Sequence, residues 1–165
     1  MKYLITFIAA SMIGYYGFLY EFPYIVQRIA ETRFGKPNRL IAKGIVTDTS
    51  RSVVAPNPDF LYSAASFDLA AGPLRLSGTL PDSTYFSLSF YQKNTSNFYV
   101  INDRNLSKNF DIVLVEKGKP APKTNAQIVF SPSVKGTALV RILWYDQKQL
   151  PALIAIQKAI KFERF

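Results

Sequence analysis

The chain has 165 residues, 20 Lys and Arg against 11 Asp and Glu for a formal charge of +9, and neither cysteine nor histidine. Without cysteine there are no disulfides, thiolate metal sites or cysteine nucleophiles; without histidine there are no Ser-His-Asp triads, histidine-ligated haems or ordinary zinc sites. No cofactor or metal is therefore expected, and any catalysis would rest on carboxylates, Tyr or Lys.

Residues Tyr3 to Tyr20, YLITFIAASMIGYYGFLY, form an uncharged apolar run. As helix it would span roughly 27 Å, close to a bilayer core. The one small-residue candidate for signal cleavage, Ala9-Ala10-Ser11, follows too short an apolar stretch, so a retained transmembrane helix over residues 1–22 is expected. Tyr3 at one end and Tyr15, Tyr16 and Tyr20 toward the other suit headgroup level. Ala10, Gly14 and Gly17 fall at i, i+4 and i+7, sharing one face on which a partner helix could pack.

Pro23 suits the first turn of a new helix or a kink, and beyond it Tyr24, Ile25, Ile29 and Phe34 alternate with Gln27, Arg28, Glu31 and Arg33. This predicts a short amphipathic juxtamembrane helix over residues 23–36, ending at Gly35 and Pro37. The densest basic stretch, Arg28, Arg33, Lys36, Arg39, Lys43 and Arg51, broken only by Glu31 and Asp48, lies here. Its position favours lipid headgroups or a neighbouring membrane subunit, with Arg28, Arg33, Lys36 and Arg39 the nearest contacts. Counting basic residues on the two sides points the domain inward, whereas a short lysine-bearing N-terminal tail is the common form of an export anchor. The expected location is the bacterial inner membrane, single-pass, with the domain in the periplasm.

From Phe60 onward short runs of period two alternate with turn residues. Strands are predicted at Phe60–Leu69, Leu74–Leu80, Tyr85–Lys93, Phe98–Asn102, Asp111–Glu116, Ile128–Ser131 and Thr137–Tyr145. Phe86, Leu88 and Phe90 share one face and belong to a core. The fold class is mainly β, a jelly-roll-like antiparallel β-sandwich over residues 37–148 with one N-terminal transmembrane helix. Residues 149–165 return to a helical period, with Leu153, Ile156 and Ala159 or Ile160 on one face, predicting a C-terminal basic amphipathic helix that packs on the sheet or meets a membrane or partner. Because Phe86, Phe90 and Phe98 read as buried, there is no stacking platform for nucleic acid.

The stretch from Val53 to Arg104 carries Asn57, Asp59, Leu61 and Tyr62, then Asp68-Leu69 and Gly72-Pro73, then an aromatic strand from Tyr85 and the Asn94 to Asn97 turn. This ordered string resembles the bacterial domain-of-unknown-function family 1254, in its short membrane-anchored form. The resemblance implies a β-sandwich and no agreed activity.

Read as residues, Pro56-Asn57-Pro58-Asp59 is a rigid lead into a strand, with Asn and Asp side chains bonding nearby backbone. A functional alternative gathers Asn57, Asp59, Tyr62, Asp68, Asn94, Asn97 and Asn102 around one polar pocket for a small ligand or hard cation. Asp59 and Asp68 have opposite parity on an unbroken strand, which argues against a paired-carboxylate acid/base site. The expected function is a non-catalytic single-pass accessory or scaffolding subunit of a larger bacterial membrane complex (respiratory, photosynthetic or transport), whose partners are the lipid bilayer and other membrane subunits. The alternative is a membrane-anchored periplasmic small-ligand-binding domain or enzyme.

Overall fold

The computed structural model describes residues 2–47, 50, 56–82, 84–105 and 108–165. Asp48, Arg51 and residues 53–55 of the family-like stretch lie outside the described residues. The apolar run and the segment after it form one helix, α1 (Lys2–Phe34), about 50 Å long. The sequence suggests a new start at Pro23, yet α1 runs through it without a break. One proline removes a single ladder bond, whereas breaking the helix would orphan several backbone groups at the edge of the apolar run. Gly35 (φ 67°) takes the left-handed conformation that ends α1. Asn38 then ties the chain to the sheet: its Nδ2 donates to Asp68 O at 3.1 Å and its Oδ1 accepts from Asp68 N at 2.7 Å.

Residues from Lys2 to Phe22 are exposed along α1, while Gln27, Ala30 and Phe34 are buried. These three recur at i, i+3 and i+7, a single stripe of the helix.

The domain is mainly β, with strands β1 (Ile41–Ala42), β2 (Phe60–Asp68), β3 (Leu74–Thr79), β4 (Phe86–Gln92), β5 (Asn97–Asn102), β6 (Asn109–Glu116), β7 (Gln127–Ser131) and β8 (Lys135–Leu143), helix α2 (Leu150–Ala159), and β9 (Lys161–Arg164). They form a five-stranded sheet ordered β1-β2-β8-β4-β5 and a four-stranded sheet ordered β7-β6-β3-β9. Pairing is antiparallel except between β6 and β7, which are parallel. A wholly antiparallel sandwich is thus corrected at one pair: residues 117–126 form a connection long enough to carry the chain back before it pairs again.

Period two decides the core. Leu61, Ala65 and Phe67 of β2, Phe86, Leu88 and Phe90 of β4, and Ala138, Val140 and Ile142 of β8 point between the sheets. There they meet Leu74, Leu76, Phe110, Ile112 and Leu114 of the second sheet. Phe90 lies 6.3 Å from Phe67 and 6.0 Å from Phe98, centroid to centroid, within the range of favourable ring pairs.

The helix expected over residues 149–165 stops at Ala159. Ile160 and Phe162 are buried while Lys161 and Glu163 are exposed, a period of two, and the segment pairs with β3 as β9. Within α2, Leu153 and Gln157 are buried, and Gln157 Nε2 donates to Tyr62 O at 2.9 Å. The helix therefore packs on the sandwich.

On the outer face of the second sheet Arg75 grips Asp111 with two hydrogen bonds, Nε to Oδ1 at 2.7 Å and Nη2 to Oδ2 at 2.6 Å. The hydrogen bond from Arg75, reinforced by its charge and opposed by partial burial, holds the Asp111 carboxyl below the usual range. A depressed carboxyl adds stability above its unfolded pKa, near 4, and loses it as pH falls through the folded value. With both side chains well exposed, the contribution is small. Asp111→Asn should lower Tm slightly at pH 7, and the difference should close as pH falls through the folded value of the carboxyl; a gap that persists once the carboxyl is protonated would contradict this.

Candidate functional site

The outward face of the five-stranded sheet carries Tyr62 and Ala64 of β2, Thr137, Leu139 and Arg141 of β8, and Tyr91 of β4. These positions alternate with the core residues just described. The C-terminal part of α1 crosses this face: Ala30 and Phe34 pack with Ala64, and Ile41 and Leu139 flank them. Gln27 fixes the crossing by accepting from Thr137 Oγ1 at 3.1 Å and donating through Nε2 to Glu31 Oε1 at 3.3 Å.

Beside this contact the helix and sheet leave a cleft of about 620 Å³, within the size range of small-molecule sites. Val26, Ala30 and Phe34 form its helical wall, Ala64 and Leu139 belong to its floor, and Ile45, Val46 and Pro56 border it from the segment after β1. Its polar lining includes Gln27, Lys43, Tyr62, Tyr91, Thr95, Thr137 and Arg141, and among the described lining residues there is no Asp or Glu. Arg141 Nε donates to Ser87 Oγ at 3.2 Å. Lys43 Nζ stands 5.5 Å from the centre of the Phe34 ring. Among the described residues the ion pairs are Arg75 with Asp111 and Lys135 with Asp68, so no described carboxylate neutralises either cation of the cleft. Tyr62 Oη accepts from Asn57 N at 3.1 Å, leaving its own proton to donate.

Helix docking is testable through the Gln27 and Thr137 pair. A double-mutant cycle of Gln27→Leu and Thr137→Val should give a coupling of about 1 kcal/mol in denaturant unfolding. Additive losses would show that the contact holds nothing.

The polar set suggested by the sequence does not converge. Asn57 Oδ1 accepts from Asp59 N at 2.9 Å, and the turn is held against the end of β8 by Trp144, whose N donates to Asp59 O at 2.9 Å and whose Nε1 donates to Pro58 O at 3.0 Å. Asp68 lies at the other end of β2, about 30 Å away along the strand. There it accepts from Ala70 N at 2.9 Å and pairs with Lys135 at 3.4 Å. Asn94 and Asn102 cap their own turns at Ser96 N and Arg104 N, and Asn97 Nδ2 donates to Tyr99 O at 3.4 Å. Of the set, Tyr62 alone lines the cleft. Among the described residues no group of three or more Asp and Glu could hold a metal ion. Arg28, Arg33, Lys36 and Arg39 are all exposed, and a Cβ added at Gly14 or Gly17 would meet nothing within 4 Å.

Sequence reasoning missed Arg141, Thr137 and Leu139. The signal was present: in Lys135–Leu143 the positions opposite the core read Lys, Thr, Leu, Arg and Leu, so that Arg141 stands on an outward face beside a leucine with no acid in the strand.

Comparison with known proteins agrees with this architecture. The family described as "Protein of unknown function (DUF1254)" matches residues 37–164, and the chain belongs to that family. Among solved structures, the chain is similar to the VPA0106 protein from Vibrio parahaemolyticus, at 12% identity and a TM-score of 0.71 over 91% of this chain and 36% of that one. It is also similar to an uncharacterised protein from Burkholderia cenocepacia, at 20% identity and a TM-score of 0.56 over 90% of this chain and 41% of that one. These likenesses concern the fold, and the chain spans well under half the length of either structure. No curated protein matches.

Proposed function

We propose that this member of the DUF1254 family is a single-pass protein of the bacterial inner membrane whose β-domain is a non-catalytic ligand-binding module on the periplasmic side. The observation that carries the reading is the cleft between α1 and the outer face of the five-stranded sheet. α1 is long and apolar enough to cross a membrane, and its first buried residue, Gln27, follows the apolar run closely. The cleft would then sit near the headgroups, with Arg28, Arg33, Lys36 and Arg39 facing lipid phosphates. The non-catalytic part of the reading is supported by the lack of His and Cys and by the separation of Asp59 from Asp68.

The test is native mass spectrometry of the full chain released from membranes. Wild type should carry a bound small molecule that Leu139→Trp, which fills the floor of the cleft, loses while keeping its Tm. Wild type that carries nothing would overturn the reading. A reporter fused after Phe165 should report the periplasmic side, and cytoplasmic activity would refute that part.

A second reading, an accessory subunit of a larger membrane complex, is favoured by the open face of Ala10, Gly14 and Gly17 on a helix exposed along its apolar length. It expects a large species in native electrophoresis of gently solubilised membranes, dissociated by Gly14→Ile with Gly17→Ile. Migration of wild type as a free monomer would end it.

A further inference from the structure

We infer that the cleft takes a single-chain anionic amphiphile, an aliphatic tail ending in a carboxylate or phosphate, supplied by the adjoining bilayer; this rests on the reading of the cleft as a ligand site. Strand register orders its floor in rows. In one row Lys43 N donates to Tyr62 O at 2.9 Å, Tyr62 is paired with Arg141, and Arg141 with Ser87. The next row on the same face joins Ile41, Ala64 and Leu139, about 7 Å further along the strands. The two cations and the phenol thus stand at one end of a trough whose neighbouring row is apolar and is covered by Ala30 and Phe34.

This arrangement selects for charge and for tail together. Arg141 uses one guanidinium nitrogen on Ser87, and its remaining donors match the planar oxygens of a carboxylate or phosphate. Lys43 and Tyr62 stand in the same row and line the same cleft. No described carboxylate pairs with either cation, and an anionic head supplies the counter-charge that partly buried cations favour. The apolar row beside the cations buries methylenes well. Val26, the first helical residue of the cleft, lies six positions beyond Tyr20, about 9 Å of helix from the end of the apolar run. An acyl chain leaving the bilayer has that short distance to travel.

The test uses the full chain in phosphatidylcholine nanodiscs, probed with palmitate, lysophosphatidic acid of the same chain length, hexadecanol and inorganic phosphate. Palmitate or lysophosphatidic acid should bind saturably, with hexadecanol and inorganic phosphate weaker by about tenfold or more. Which of the two acids binds more tightly identifies the head group. Arg141→Gln should weaken the acids by about tenfold and leave hexadecanol unchanged; Lys43→Gln makes the same test should Arg141→Gln reduce the folded fraction. Hexadecanol binding as tightly as palmitate, or acids unaffected by both substitutions, would overturn the anionic assignment while leaving a ligand cleft in place. Failure of every probe would overturn the amphiphile outright, and the ligand reading would then stand or fall on the co-purified molecule.

Discussion

Replacing Gly136 by alanine is expected to destabilise the domain by about 3 kcal/mol or more, at the upper end for overpacked sites. Gly136 lies in β8 between Phe67 of β2 and Gln92 of β4, its neighbours in register. A Cβ there would collide with the carbonyl oxygen of Tyr91 and press on Phe67 ring carbons at 2.5 and 2.8 Å. The ring is already packed against Phe90 and Phe98, and the carbonyl cannot retreat without opening the β4–β8 ladder. Gly78 provides the contrast: the nearest atoms to an added Cβ there are side-chain carbons of Phe110 and Ile160, at 3.0 to 3.2 Å, farther off than at Gly136 and with no backbone atom among them. Denaturant unfolding should rank Gly136→Ala as far worse than Gly78→Ala. Equal losses would contradict the packing described for β8.

Met12→Arg should remove most of the protein from carbonate-washed membranes. Met12 is exposed near the middle of the apolar run, and a charge at the centre of an inserting helix costs about 2.5–3.5 kcal/mol. A run of only about 18 apolar residues has little surplus to absorb that cost. Phe130→Arg is the control, since Phe130 is an exposed ring on the β-domain and its replacement should leave membrane association as it was. Retention of Met12→Arg at wild-type levels would mean that something other than hydrocarbon holds the helix.

The strands from Phe60 to Leu143 were legible where large apolar residues alternate with small or polar ones, as in β4 and β8, and where turn residues bound the runs. β1 and β9 escaped because two and four residues are too few to establish a period, and β9 directly follows a helix whose apolar residues blend into its own. Pro23 misled because a proline in isolation signals a break, while the cost of orphaned backbone on either side is not local to it. The motif Asn57, Asp59, Tyr62 and Asp68 was found as sequence, yet most of its side chains serve turns and strand ends. The cleft was illegible for a different reason. It requires Lys43, Tyr62 and Arg141 to align across three neighbouring segments, and α1 to lie over the row beside them. Register of that kind follows from long-range pairing that no single segment encodes.

If α1 stays in the protein as an anchor and brings the cleft to the bilayer surface, the helix must still be present in the chain that membranes hold. Intact mass of the protein recovered from carbonate-washed membranes tests this most directly. The expected result is the full chain of 18.6 kDa in the membrane pellet. A shorter chain that lacks the Tyr3 to Tyr20 run and is found in the aqueous fraction would contradict it.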